Sequence, residues 1–282
     1  MLGGKLSRQF TEEILDGRLK GAGWSGRAAN LLGDSSLTPG EQANALVKDR
    51  NAPVYYGIDC LTHLCSGDLA NMIFLFKTIV EEAALTATDT APIPPSVQDQ
   101  AIRRASRFLR SILPTYSPGG REMARIAEVF GDLAVAELLD PSGVREHGVI
   151  APRRKTRIEV DGVAVDVEDP FGDELHTEVL RRGVFVRISD GTARRNASGA
   201  RVQGVPSPGQ SVRLEFGPVY LPSFGLPIGK NIAWVWTRDN YLSFLHNPAE
   251  MAAKFKSSGL ANRRVSVDQL PLVGLEEDDA TD

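Results

Sequence analysis

Apolar residues recur at three- and four-residue spacing through most of the first 140 positions, then in short alternating runs from about residue 153 onward. The first pattern predicts helices and the second predicts strands. "SRQFTEEILDGRLKG" puts Phe10, Ile14 and Leu15 at helical spacing and closes in glycine. "LTPGEQANAL" carries Thr38 as N-cap, Pro39 at the first helical position and Glu41 at the third, a capping box. Leu61 to Ala84, "LTHLCSGDLANMIFLFKTIVEEAA", predicts a short helix, a Ser-Gly-Asp break and a longer helix capped by Ser66 or Asp68. Leu69, Met72, Ile73, Phe76, Val80 and Ala83 give that longer helix a wide apolar stripe, so it packs on neighbours. The Pro/Thr-rich "TATDTAPIPP" interrupts the pattern. Two further helices are then predicted, "VQDQAIRRASRFLRSIL" from Ser96 and "GGREMARIAEVFGDLAVAELL", which stops before Pro141.

From Arg153 the period shortens. "TRIEVDGVAVDV" alternates around Asp161-Gly162 and predicts a hairpin. "PFGDELHTEVLRRG" reads as a helix closed by Gly183, and "VFVRI" as a strand. Residues 192–210 read as a Gly/Ser/Arg/Pro loop, "SVRLEF", "PVYLP" and "IAWVW" as strands, and "TRDNYLSFLHNPAEMAAKF" as helix broken at Pro248. The expected fold class is α+β. Residues 1–88 form a helical bundle, 89–95 a linker, 96–256 an α+β part approximating a winged helix with an extended β wing, and 257–282 an acidic, disordered tail.

Charge sharpens this picture. The chain has 282 residues, 42% of them apolar, and a net charge of −4. Residues 181–213 hold seven arginines and one acid, Asp190, whereas residues 268–282 hold six acids and no Lys or Arg. Such a basic middle points to an anionic partner, or to a tail that screens the patch. Arg181, Arg182, Arg187, Arg194, Arg195 and Arg201 are the candidate DNA-binding residues, placed to reach backbone phosphates from a helix end and a wing. Against them stand Asp173, Glu174 and Glu178 on the would-be recognition helix, and the plainer alternative of solvated loop charge. "RRKTR", from Arg153 to Arg157, is a second basic cluster.

Other chemistries find little footing. "GAGWSGRA" has phosphate-loop glycine spacing, but Arg27 and Ala28 stand where Lys and Ser or Thr would be needed. "VYYGID" ends in Asp59 with no acid after it, so no Walker-type magnesium strand is visible. There is no G-x-S-x-G, and His63, His147, His176 and His246 show no triad or metal spacing. Cys60 and Cys65, five apart on one helix, point to different sides and read as buried free thiols. No catalytic, cofactor or metal residues are therefore assigned. "MLGGKLSRQF" is not a signal peptide, and the longest apolar run, "MIFLF", falls far short of the roughly 20 residues of a membrane span. The expectation is a cytoplasmic protein without membrane contact.

The Ser66-Gly67-Asp68-Leu69 break with its following apolar helix resembles the lid of AAA+ ATPases, in their origin-recognition-like branch. "VQDQAIRRASRFLRSIL", "VFGDLAVAELL", "RIEVDG", "VLRRGVFVRI" and "VYLPSFGLP" extend the resemblance over roughly residues 25 to 255. It implies a lid followed by a winged helix, without the nucleotide-binding core that precedes them in that branch. It also implies a nucleotide-sensing arginine just after Gly-Asp-Leu, where this chain has Ala70, so Gly67, Asp68 and Ala70 mark a degenerate lid position. The expected role is that of a non-catalytic, truncated or split subunit. Its partners would be double-stranded DNA or an ATPase core on another chain. The rival is a scaffold subunit of a multi-protein assembly, such as an antiphage system, without nucleic-acid contact.

Overall fold

The computed structural model describes residues 7–33, 37–65, 68–140, 144–146, 149–161, 163, 171–188, 211–229 and 232–257. Helices dominate the first half: α1 (Arg8–Gly21), α2 (Ala28–Leu32), α3 (Pro39–Lys48), α4 (Ile58–Cys65), α5 (Leu69–Glu82), α6 (Pro95–Ile112) and α7 (Gly120–Leu139). The small hairpin β1 (Val144–Glu146) and β2 (Val149–Ala151) follows. Then come β3 (Lys155–Asp161), α8 (Glu174–Arg181), β4 (Phe185–Ile188), β5 (Val212–Phe216), α9 (Leu221–Phe224), β6 (Ile232–Thr237), α10 (Arg238–His246) and α11 (Pro248–Ser257). The fold is α+β.

Local chemistry sets most of these boundaries. The Ser7 hydroxyl accepts from Phe10 N at the start of α1. Thr38 and Glu41 close the expected capping box on α3, with Glu41 accepting from Thr38 N at 2.7 Å. Pro39 costs nothing there, because the first helical N–H has no intrahelical partner anyway. Asp68 caps α5, and Thr237 caps α10 through Asn240 N. α6 begins at Pro95, one residue before the expected Ser96, again with proline in the first turn.

The sheet has the order β4-β5-β3-β6. β4–β5 and β3–β5 are antiparallel, whereas β3 and β6 run parallel from Lys155↔Ile232 to Asp161↔Thr237. Both edges of β3 are thus occupied, by β5 and β6. The turn at Gly162 and the second strand of the hairpin expected there lie outside the described residues, apart from Val163. "PVYLP" also departs from its expected strand. Pro218–Tyr220 form a 3-10 turn that runs into α9. Pro218 and Pro222 have no N–H to give a ladder, and the Ser106 hydroxyl donates to Val219 O at 2.7 Å while accepting from Ser223 N at 2.9 Å. The expected disordered character of the tail beyond Ser257 falls outside the described residues.

A single hydrophobic cluster runs from Leu15 to Phe255, through both expected parts of the chain. The 89–95 linker joins α5 to α6, which pack on each other, so no gap in the core marks that boundary. At the sheet end Phe130 of α7 is fully buried. It meets Phe185, Phe216 and Trp234 with ring centroids 5.0–5.1 Å apart, and Phe244 at 6.2 Å. Gly131 beside it leaves room for the Phe224 ring, which a Cβ would approach to 2.4 Å. Glu137 on α7 is buried against Lys155, 3.2 Å away, and Arg153, 3.7 Å away. Burial pushes the Lys155 ammonium down, and Glu137 opposes that push.

α8 and α10 are tied by Asp173. Its carboxylate accepts from His176 N at 2.9 Å and faces His246 Nε2 at 2.7 Å. Partial burial pushes the Asp173 carboxyl up, but the bonds from His176 N and His246 outweigh it and hold the group below its ordinary range. A lowered carboxyl stabilises the fold above the unfolded pKa, near 3.9, and that contribution disappears as pH falls through the folded value. Asp173→Asn is therefore expected to flatten the acid limb of a stability-versus-pH curve below about pH 4. Asp173→Ala, which also loses the cap, is expected to cost about 1 kcal/mol at pH 7 by urea titration.

Candidate nucleic-acid and partner interface

The break between α4 and α5 is organised by Asp68. One carboxylate oxygen accepts from Ala70 N at 2.9 Å and Asn71 N at 3.1 Å, and the other from Asn71 Nδ2 at 2.9 Å. A helix N-terminus is a natural anion site because its first N–H groups lack partners. Here the chain's own carboxylate takes up two of them and brings a negative charge. Ala70, in the first turn of α5, is exposed and offers a methyl group. Gly67 lies outside the described residues.

Helix α4, which precedes this break, packs on the Pro218–Tyr220 turn in the second half of the chain. Burial pushes the Tyr220 phenol up, and nearby Tyr116 and Asp68 add to the shift. Tyr220 OH donates to Arg182 O at 3.4 Å, and the Arg182 guanidinium rests over the Tyr116 ring at 4.4 Å. The fold thus brings α4 and the end of α8 together at Tyr220, with Tyr116 under Arg182, which the sequence pattern did not reveal.

The candidate arginines separate into sets. Arg181 pairs with Glu178 three residues back. Arg182 stacks on Tyr116 and has Glu178 3.9 Å from its Nε. Glu178, expected to repel DNA, thus partly neutralises both. Arg187 lies on β4 opposite Leu214, one residue from the Ile188↔Arg213 pair that ends the β4–β5 ladder. A four-residue strand, about 13 Å long, lies between this end and Arg181–Arg182. Arg194, Arg195 and Arg201 lie outside the described residues, in the segment that leaves β4 and returns as β5. Arg213 pairs with Glu159 at 3.2 Å and Arg157 with Glu215 at 2.9 Å, which makes both cross-strand ion pairs.

Other arginines lie where the sequence pattern gave them no role. Arg107 on α6 and Arg121 and Arg125 on α7 are exposed, with no acidic partner among the described residues. Arg104 pairs with Glu82 at 2.6 Å, and Arg110 lies over the Phe224 ring at 4.5 Å. Beside them Phe108, 51% exposed, meets Phe74 of α5 with centroids 5.6 Å apart. The spacing of Arg104, Arg107, Phe108 and Ser111 on one helix face would have revealed this surface.

Among the described residues, the cysteines and histidines singled out by the sequence are committed to structure, and His147 lies outside them. Cys60 and Cys65 are free and buried, and burial pushes both thiols up, away from the reactive thiolate. A shallow pocket of about 140 Å³ is lined in part by Asp59, Cys60 and His63. Asp59 faces Arg8 at 3.4 Å, and His63 Nδ1 donates to Asp59 O at 2.8 Å. His176 shares a 2.8 Å hydrogen bond with Tyr241 OH, and burial pushes that phenol well up. Among the described residues no group of three or more His, Cys, Asp or Glu is placed to hold a metal ion.

A family model described as ORC-CDC6-like matches residues 43–231, about two thirds of the chain, from the middle of α3 to the residue before β6. The chain belongs to the ORC-CDC6-like family. No curated protein and no solved structure matches it. The ORC-CDC6-like match covers the Asp68 break, the α5/α6 face and the whole arginine-rich run from Arg181 to Arg213. It is in keeping with an AAA+ type relationship. No helix among the described residues is long and apolar enough to cross a membrane.

Proposed function

We propose that this member of the ORC-CDC6-like family is a non-catalytic binding protein that holds duplex DNA through a basic wing. The observation that carries the reading is the antiparallel β4–β5 pair. Its last pair is Ile188↔Arg213, where Arg213 is held by Glu159 at 3.2 Å. Arg187 lies one residue back on the opposite face, and the segment bearing Arg194, Arg195 and Arg201 joins the two strands. A wing of this kind positions guanidinium groups against phosphates, which supply most of the affinity and none of the sequence information. Arg181 and Arg182, tethered by Glu178, act as a secondary edge. Residues 96–256 would then be the winged-helix-like part, and residues 1–88 the lid-like domain.

Nucleotide has no role in this reading. Asp68 occupies the α5 N-terminus, and Ala70 supplies no guanidinium for a γ-phosphate. Duplex binding is accordingly expected to be unchanged by millimolar ATP and magnesium.

The test is a salt series on a labelled duplex with the wild type and an R187A/R194A/R195A/R201A variant. The slope of log K against log salt should become shallower by about 3–4 units, since each lost phosphate contact removes about 0.9. An unchanged slope would remove the wing from the interface. The rival scaffold reading draws support from the exposed Phe108 beside Phe74, which suits a protein partner. It predicts a partner complex whose affinity changes little with salt.

A further inference from the structure

The most distinctive unassigned surface is the outer face of α5 and α6. The two helices run antiparallel, because Arg104 reaches Glu82 near the end of α5 while Phe108, a turn later in α6, meets Phe74 near its start. The exposed residues of α6 from Gln100 onward are Gln100, Arg104, Arg107, Phe108 and Ser111, with no acid among them. The only acid on α6, Asp99, is buried and committed to Arg103 at 2.7 Å. The α5 stripe bordering this face holds Ala70, Phe74, Lys77 and Glu81 at helical spacing, with Lys77 facing Glu81 at 3.5 Å. An aromatic pair is thereby left half in water with cations on its margin, which calls for apolar side chains followed by carboxylates.

The chain itself contains such a segment. Beyond Ser257 the sequence reaches "LPLVGLEEDD", where Leu270, Leu272, Val273 and Leu275 precede Glu276, Glu277, Asp278 and Asp279. No Lys or Arg follows Arg264. The thirteen residues from Ser257 to Leu270 can span about 43 Å when extended. A folded chain of this length has a radius of gyration near 19 Å, so such a span reaches most of its surface.

We propose that the segment from Leu270 to Asp279 docks on the α5/α6 face. Its leucines cover Phe74 and Phe108, and its carboxylates meet Arg107 and share Arg104 and Lys77 with their present partners Glu82 and Glu81. Docked there, the segment screens the cations of α6 and acts as an internal competitor for any anionic partner on this face. The proposal does not depend on duplex binding by the wing.

The test uses the full chain with the photo-crosslinker benzoylphenylalanine replacing Leu272, and mass spectrometry to locate the cross-links. The expected cross-links fall within 69–77 and 104–111, inside one chain. Phe108→Ala is suited to the control because the side chain is 51% exposed, so folding does not depend on it. That change, or an E276Q/E277Q/D278N/D279N variant, should lower the cross-link yield about tenfold, as expected for losing several weak contacts together. Cross-links elsewhere, or a yield indifferent to both variants, would overturn the proposal. So would cross-links found only between isotopically distinct chains, because a second copy would then be the occupant. If Phe108 is protected by an added duplex while the wild-type tail never cross-links to it, the face is a nucleic-acid site instead.

Discussion

Asp99→Ala is expected to lower the unfolding free energy by about 3–5 kcal/mol, the range for breaking one side of a buried ion pair. Asp99 is 5% exposed on α6. One carboxylate oxygen accepts from Val54 N at 2.9 Å and Tyr55 N at 3.0 Å, and the other from Arg103 Nε at 2.7 Å. Arg103 in turn donates to Ala52 O at 3.0 Å and lies over the Tyr55 ring at 4.7 Å. Removing the carboxylate leaves two buried N–H groups and a guanidinium without their acceptor, each of which costs its desolvation. The damage should extend further, because Tyr55 OH holds Leu226 O at 2.7 Å and Gln42 accepts from Ile228 N at 2.9 Å. Urea titration measures the loss. Hydrogen exchange at Val54 and Tyr55 should accelerate more than at the sheet.

Phe130→Ala is expected to cost about 3–5 kcal/mol by the same titration. The ring sits among four other aromatic side chains, contributed by β4, β5, β6 and α10. Its loss removes the transfer energy, several ring pairs worth about 0.5–1.5 kcal/mol each, and leaves a cavity that rigid strands cannot close. Phe130→Leu keeps most of the volume and should recover more than half of the loss. If the alanine change cost under about 1 kcal/mol, helix and sheet could not share a core at this point.

The helices were legible because their evidence is local. Thr38, Pro39 and Glu41 signal a start within four positions, and Asp68 stands next to the helix that it caps. The sheet was less so. β3 pairs in parallel with β6, more than seventy positions later, and nothing in the alternation of "TRIEV" names that partner. "PVYLP" alternates like a strand, but its two prolines and the reach of Ser106 from α6 decide for a turn. Asp99 was overlooked although a signal was present. Gln98, Asp99 and Ser106 occupy the same helical phase as Ala101, Ile102 and Ala105, so polar groups sit at core positions. The candidate site was legible as composition rather than as geometry. Seven arginines stood out, yet the pairing of Arg181 with Glu178 depends on helix spacing and that of Arg213 with Glu159 on strand register, and only the first is local.

The central claim is that this chain works by holding a phosphate backbone rather than by turning over nucleotide. Equilibrium binding of the wild-type protein to a labelled duplex between 50 and 200 mM salt tests it most directly. Engagement by the six candidate arginines should weaken binding about 10³-fold over that range, with no change on adding ATP and magnesium. An absence of binding at 50 mM salt, or an affinity indifferent to salt, would contradict the claim and leave the exposed Phe74–Phe108 face as the working surface of a scaffold protein.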